Sequence, residues 1–454
     1  GDRMKIGLMH FRSGFTDGVS LEMDKQKTVL EEMGHEVVFV CGELQSGEGI
    51  EIPLLHLLEP RNERLSRNGF GSLEDFTTEE YEEELNDLAY LIESQVTRVI
   101  LEHQIEMLIV HNLFSLGLNL AAAKGLSRAI EKTEIRAMAH HHDFYWERAK
   151  FSRPTLSVVN RFLSSFFPPN SKNVTHGVIN SLAQKELLRK RNLSSVIIPN
   201  VMDFNQPPWL LDEFNNDLRE RLGIGANDLV FLQATRILPR KAIELAFEFI
   251  RVFYEEQFPK VQGGTRLYTD RKIDGKSALH FVLCGLTEEM DKEYLKEMKA
   301  LARQMPYSCH FVPQLFSQRR NQDPKTYSLW DAYTLADIVT FPSVQEGWGN
   351  QLLEAVFAKK TVVGYEYPVF RSDILPKGLQ IVSLGKNAQI GENGLYELDR
   401  LTYSQAAESL FNLITDYPES LRLVERNFSL GARHFSYEVL KKNLNLVLEG
   451  VEWE

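Results

Sequence analysis

The sequence predicts an α/β protein built from two doubly wound domains in tandem. Three observations carry this. Short apolar runs alternate with longer stretches of helical periodicity along the whole chain. At 454 residues the chain is long enough for more than one core. The pattern also begins anew near the middle: residues 5–11 and 229–234 each read as a first strand, and each is followed by a polar loop and a helix.

Bulk properties narrow the function. Lys and Arg total 51 against 63 Asp and Glu, a net charge of −12, so a nucleic-acid coat is not expected. The three cysteines, Cys41, Cys284 and Cys309, are widely spaced, and the first two sit in or beside apolar runs. That usage suits reduced thiols and a cytoplasmic location. No run approaches the roughly 18 apolar residues of a membrane span. Gly1-Asp2-Arg3 ahead of Met4 reads as a cloning remnant rather than a signal peptide.

In the first half, residues 5–11 form the first strand, and the polar loop 12–20 leads to a helix over 21–33, stopped by Gly34. Residues 36–40 are the second strand, giving a βαβ unit with a parallel crossover. Gly18 lets the backbone of the first loop approach a ligand closely. The fingerprint Gly-x-Gly-x-x-Gly is absent, so dinucleotide binding is not expected. Residues 59–90, rich in Glu, Arg and Asn, read as a surface excursion, with 81–92 turning helical. Residues 107–110 are a strand ending in His111-Asn112, 116–130 a helix, and 136–139 a strand ending in His140-His141-His142-Asp143.

Neighbouring residues on a strand point to opposite faces, so three consecutive histidines do not share one metal, and no metal site is expected. His140 and His141 read as structural. His142-Asp143 lies at the C-terminal end of a strand, where α/β sheets bind ligands, and His142 is the candidate, with His141 one residue away as the fallback. Residues 173–179 and 196–198 are further strands, flanking a helix over 181–191. Pro199-Asn200-Val201-Met202-Asp203 opens the second half, and Pro207-Pro208 suits a linker.

There the strand 229–234 runs into Thr235-Arg236-Ile237-Leu238-Pro239-Arg240-Lys241-Ala242 and a helix over 243–254. Arg236 and Lys241, five residues apart around a proline turn, can converge on one pair of phosphates: a planar fork and a compact point charge. Residues 262–276 read as a mobile polar insertion. Strands over 280–283 and 310–312 follow, with a helix over 289–302 between them and another over 327–334. The stretch that organises the chain comes next. The strand 338–341 enters Pro342-Ser343-Val344-Gln345-Glu346-Gly347-Trp348-Gly349, and a helix runs from Asn350 to Ala358. A helix start presents free N–H groups to an anion. Glu346 and Glu354 flank that start, about two turns apart at roughly 3.6 residues per turn. Carboxylates beside an anion site face hydroxyls, so the ligand carries both a diphosphate and sugar hydroxyls. Strands over 361–365 and 380–384 and closing helices to Leu448 complete the chain.

Glu346-Gly347-Trp348-Gly349 with Pro342-Ser343 before it and Leu353-Glu354-Ala355 after it resembles the Glu-x7-Glu signature of retaining glycosyltransferases of family 4, which have the GT-B fold. Arg236 and Lys241 resemble that family's diphosphate clamp, with Ala242 where a Gly is usual, and His142-Asp143 its sugar-binding His. Gly18 stands where the family carries a Gly-Gly pair. The resemblance implies two Rossmann-like domains facing a central cleft: residues 4–203 on the acceptor side, 204–430 binding the nucleotide sugar, and 431–454 a closing helix that crosses back. It implies transfer of a hexose, from UDP-glucose or GDP-mannose, to a hydroxyl of a small or glycosidic acceptor. The donor ligands would be Gly18, Arg236, Lys241, Glu346, Gly349, Asn350, Gln351 and Glu354, and the catalytic pair His142 and Glu346. Arg12, His111, Asn112 and Arg148 are the acceptor candidates, the two arginines for an acidic group. No cofactor, metal, nucleic acid or membrane span is implied. An epimerase or phosphorylase on the same fold, or a non-catalytic sugar-nucleotide binder, are the alternatives.

Overall fold

The computed structural model describes residues 2–15, 17–286 and 290–450. Thr16 of the first loop, Glu289 at the expected start of a helix, and Gly1 lie outside them. The chain divides into two compact units, Gly1–Val201 with Tyr437–Glu454, and Met202–Ser436.

The first unit is a seven-stranded parallel sheet in the order β3-β2-β1-β4-β5-β6-β7. Its strands are β1 (Lys5–Ser13), β2 (Glu36–Leu44), β3 (Ile50–Glu51), β4 (Met107–His111), β5 (Arg136–His141), β6 (Val174–Val178) and β7 (Val196–Ile197). The helices are α1 (Gly18–Glu32), α2 (Pro60–Phe70), α3 (Thr78–Glu102), α4 (Leu120–Thr133), α5 (Ser157–Phe166) and α6 (Ser181–Arg191). Strand alternation sorts the core. Ile6, Leu8, Met107 and Ile109 pack with Met23, Val29 and Leu30 of α1. Met9, Phe11, Leu108 and Val110 pack into the layer of α3, α4 and α5. Both faces of the sheet are covered, as a parallel sheet requires.

Two expectations are corrected in this unit. Residues 59–90 are not a surface excursion. They supply α2 and most of α3, and Tyr81, Leu85, Leu88, Ala89 and Ile92 are core residues. A capping box on Thr77 and Glu80 starts α3. Gly125 of α4 lets that helix press on α3, since a Cβ there would stand 2.6 Å from the Ala89 carbonyl. Further on, the end of the chain joins this unit only from Tyr437, with the helix Tyr437–Glu449, and not from residue 431. Leu440, Leu444, Val447 and Leu448 join the α1 layer, and Arg136 donates to the Val447 and Leu448 carbonyls at 3.0 and 3.1 Å. The preceding helix, Tyr417–His434, stays with the second unit, so residues 431–436 do too.

The second unit holds a six-stranded parallel sheet. In spatial order its strands are Ser308–Phe311, Leu279–Leu283, Leu229–Gln233, Ile338–Phe341, Thr361–Gly364 and Val382–Ser383. The helix Ile243–Glu256 buries Phe247, Phe249 and Phe253. Three local expectations change. Tyr327 belongs to a strand, Lys325–Ser328, and the helix begins only at Leu329, where Ser328 and Asp331 form a capping box. Residues 262–276 include a small hairpin, Thr265–Arg266 with Lys272–Ile273, and are anchored rather than mobile. Thr269 and Arg271 bond the Asp337 carboxylate at 2.7 and 2.8 Å, and the Tyr268 hydroxyl bonds the Asp337 carbonyl at 3.2 Å. Pro207-Pro208 lies inside this unit, and the next residue, Trp209, packs on Trp330, Tyr333 and Phe357. Among the described residues no helix is long and apolar enough to cross a membrane. All three cysteines are free thiols.

Candidate active site

In the second unit the signature loop and the basic loop meet. Ile338–Phe341 is a central strand beside Leu229–Gln233, so the loops that follow the two strands emerge together at the C-terminal edge of the sheet. The Val344 amide donates to the Arg240 carbonyl at 3.0 Å and ties the loops. Glu346 lies against this tie. Its Oε1 takes Lys241 Nζ and, at 2.9 Å, the Ser343 hydroxyl. Its Oε2 takes Arg240 Nη1 at 2.9 Å. Lys241 is only 3% exposed. Burial pulls its pKa down to about 8, against the opposing charge of Glu346. Burial also disfavours charge on Glu346, yet Lys241 and Arg240 hold its carboxyl below the usual range, so it stays ionised. Arg236 is half-buried, and its charge is close enough to push the Lys241 pKa down further.

The helix Asn350–Phe357 starts at Gly349 with no side-chain cap. Its first N–H groups are therefore directed at the loop. Gly349 has φ 149°, and a Cβ there would fall 2.4 Å from the Tyr367 hydroxyl, which is itself bonded to the Trp348 carbonyl. Only glycine fits that approach. Asn350, Gln351 and Glu354 lie half-buried on the first turns of the helix. Tyr333 donates to Glu354 Oε2 at 3.3 Å and fixes the second signature carboxylate. Ala242, where a glycine is usual in the resembling family, sits in the left-handed region at φ 47°, ψ 46°. The backbone there has the conformation that glycine favours.

In the first unit the ends of β1, β4 and β5 form the corresponding edge. The two candidate histidines differ in their surroundings. His141 is fully buried, between the Ser115 hydroxyl at 2.5 Å and His176 Nδ1 at 3.0 Å. His142 points the other way and is half-buried. Its Nε2 meets His111 Nδ1 at 2.9 Å, and its amide donates to Asn112 Oδ1 at 2.9 Å. His111 and Asn112 are 0% and 4% exposed. Expected at the acceptor, they instead hold their neighbours: His111 supports His142, and Asn112 donates to Asp143 at 3.1 Å. Burial, followed by the neighbouring imidazoles, drives the pKa values of His111 and His142 well below the usual histidine range, so both are neutral.

Gly18 is exposed in the first turn of α1, where Asp17 caps the helix through Ser20. Asp17 is buried, which raises its pKa, but hydrogen bonds from His10 and Ser20 outweigh that and hold it well below the carboxylate range. Arg12 pairs with Asp17 at 3.2 Å, and Arg148 Nε with Asp143 at 2.9 Å. Both arginines are thus placed beside acids at this edge. The expectation of no metal site considered only consecutive histidines. His140 of β5 and His142, the residue just after β5, meet His111 of β4, and one nitrogen from each lies within 4.8 Å of the others.

Sequence reasoning missed Arg240, Ser343, Gln26 and Asp17. Arg240 lay between two residues chosen for their spacing, and Ser343 inside the signature. Gln26, in the middle of α1, carried no signal: only the fold brings it to His111 and His140.

Two doubly wound parallel sheets, one with a Glu-x7-Glu loop–helix bound to a basic loop, define a GT-B glycosyltransferase. The chain belongs to the mannosylglucosylglycerate synthase family. It is 38% identical over 441 residues to the mannosylglucosylglycerate synthase of Petrotoga mobilis, covering 97% of this chain and 100% of that one. To the enzyme of the same name from Thermotoga maritima it is 40% identical over 444 residues, covering 97% and 99%. Among solved structures, a glycosyltransferase from Rickettsia africae superposes with a TM-score of 0.66 at 12% identity, covering 99% of each chain. The sucrose-phosphate synthase of Thermosynechococcus elongatus does so with a TM-score of 0.60 at 11% identity, again over 99% of each. No family model matches the chain. The protein is a nucleotide-sugar glycosyltransferase that moves a hexose to a small acceptor.

Proposed function

We propose that the chain transfers mannose from a nucleoside diphosphate mannose, GDP-mannose first, to glucosylglycerate, with retention at the anomeric carbon. The relatives' name supports the product, at 38% and 40% identity over 97% of the chain. The observation that carries the chemistry is Glu346, ionised and bonded to Lys241 and Arg240 at a helix start.

In this reading Arg236, Lys241 and the N–H groups at the start of Asn350–Phe357 stabilise the departing diphosphate. Gly18 and Gly349 let the backbone come close to the donor, and Asn350 and Gln351 stand at the helix start that receives it. The transfer then needs no cofactor and no metal at the diphosphate. Glu346 and His142 bind hydroxyls of the transferred hexose, and Glu354 those of the ribose. As the bond from the anomeric carbon to the phosphate oxygen breaks, the acceptor oxygen bonds to that carbon from the same face. The acceptor proton passes to the leaving diphosphate oxygen. Arg12 and Arg148 bind the carboxylate of the acceptor, each exchanging part of its present contact with Asp17 or Asp143. The three free thiols suit a reducing cytoplasm.

The test incubates the protein with GDP-mannose, UDP-glucose, UDP or GDP, with and without glucosylglycerate, and follows binding by melting temperature and product by NMR. A stabilising shift with the guanine nucleotides and an α-mannoside from an α-linked donor are expected. An inverted product, or transfer only from UDP-glucose, overturns the proposal. Donor conversion without acceptor would point to an epimerase.

A further inference from the structure

Beneath His142 lies an arrangement that sugar transfer does not require. His111 from β4, His140 from β5 and His142 just after β5 bring one nitrogen each within 4.8 Å of the others. Their rings stack closely: centroids of His140 and His142 are 4.6 Å apart, and those of His111 and His142 5.2 Å. A single side chain, Gln26 of α1, bonds two of the three. Gln26 Oε1 lies 2.9 Å from His111 Nε2. A carbonyl oxygen only accepts, so the proton is on Nε2 and the lone pair of His111 is on Nδ1. Gln26 Nε2 lies 3.0 Å from His140 Nδ1. An amide nitrogen only donates, so His140 carries its lone pair on Nδ1 and directs it at Gln26. At present His142 Nε2–H donates to His111 Nδ1. One tautomer shift on His142, from Nε2–H to Nδ1–H, together with release of His140 Nδ1 by Gln26, completes a set of three imidazole lone pairs without net loss of a proton.

We propose that His111, His140 and His142 form a three-histidine site for a transition-metal dication of the zinc or cobalt type, and that its occupation inhibits the enzyme by taking His142. Zinc bonds imidazole nitrogen at about 2.0–2.1 Å, which puts tetrahedral ligand nitrogens ~3.4 Å apart. The present separations bracket that spacing, so small ring movements suffice. Imidazole is the ligand type these ions prefer, and magnesium, which demands oxygen ligands, is excluded. Burial keeps all three rings neutral, the form that binds metal. Gln26 is the outer partner that orients a ligating histidine through its second nitrogen. The half-buried edge of His142 leaves the fourth position for water. The inhibitory part rests on His142 facing the transferred sugar, whereas metal binding itself does not.

The experiment titrates the full chain, stripped with chelator, with Co²⁺ and Zn²⁺. Visible ligand-field absorption of Co²⁺ reports four-coordinate binding, and dialysis with metal analysis gives stoichiometry. One Co²⁺ per chain with intense visible bands, displaced by Zn²⁺, is expected. His111→Gln and His140→Gln, each checked for folding by circular dichroism, should weaken binding at least tenfold. Zn²⁺ should lower turnover of the wild type, and chelator should restore it. Absence of the bands, or equal affinity in both folded variants, overturns the site. Binding with unchanged turnover keeps the site and removes His142 from the sugar.

Discussion

Arg240 donates to one carboxylate oxygen of Glu346 while Lys241, the next residue along, takes the other. Two adjacent cations on one loop thus grip both ends of a carboxylate on another. The pair Arg240–Glu346 is partly open to water, and that of Lys241 is buried, with side chains 39% and 4% exposed. Lys241 therefore fixes the carboxylate, and Arg240 is the partner that a sugar hydroxyl can displace. Glu346→Gln keeps the shape but loses the charge. It is expected to lower kcat by about 10²-fold or more, the range for removing a preorganised electrostatic group. Steady-state kinetics with a folded variant check this, and wild-type turnover would remove Glu346 from the sugar site.

Lys241 has its pKa pulled down to about 8 by burial. Its ammonium is needed for the diphosphate, so kcat/KM for the donor should fall as pH rises through about 8, the limb that reports a group of the free enzyme. The sign for stability is opposite. The folded pKa lies below the ordinary lysine value of 10.5, so burying the charged lysine opposes folding below pH 8, and that opposition fades between pH 8 and 10.5. Lys241→Ala should raise the donor KM and lower turnover. A rate profile flat from pH 7 to about 9.5 would contradict the assignment.

Ala242 holds a left-handed backbone between Lys241 and the helix Ile243–Glu256. Relief of its Cβ strain, partly offset by the greater freedom of glycine in the unfolded chain, makes Ala242→Gly stabilising by about 1 kcal/mol. Urea unfolding with unchanged m measures it. A destabilised variant would show that the Ala242 methyl packs better than its strain costs.

Arg148 stands beside Asp143 with its side chain 46% exposed. Arg148→Ala should raise KM for an acidic acceptor about tenfold, some 1.4 kcal/mol, and leave the donor KM unchanged. An unchanged acceptor KM would assign the carboxylate elsewhere.

Leu88 of α3 is fully buried. Leu88→Ala is expected to cost about 2–5 kcal/mol, because a cavity opens in a core and not on a surface. Chemical denaturation gives the value directly.

Leu88 also shows where reading the sequence failed. Glu79, Glu80, Glu82, Glu83 and Glu84 crowd the start of α3 and mask the buried series Tyr81, Leu85, Leu88, Ala89, Ile92. Charge density was read as exposure, although one helix face can be acid and the other core. The hairpin at 265–273 failed differently: its polar residues are ordered by Asp337, a partner more than sixty positions away along the chain. By contrast, the helix Ser181–Arg191 and the signature helix from Asn350 were legible, because an Asn cap and a strand–glycine–helix junction are local signals. In the site, the alternation along β5 was legible in principle and turns His141 and His142 opposite ways. The support from Gln26 was not, since nothing local in α1 announces which histidines it will meet.

The last helix, Tyr437–Glu449, completes the unit that begins the chain. Topologically, then, Met202–Ser436 is an insertion within the first unit, and its two ends lie side by side where Met202 bridges Ser436. During synthesis the face made by Ile6, Leu8 and Met23 waits uncovered until Leu440, Leu444 and Val447 leave the ribosome. A nascent chain halted anywhere in the second unit lacks part of the cover of this apolar layer. Quality control is therefore expected to recognise unfinished copies through Ile6, Leu8 and Met23, which the folded protein packs with Leu440, Leu444 and Val447.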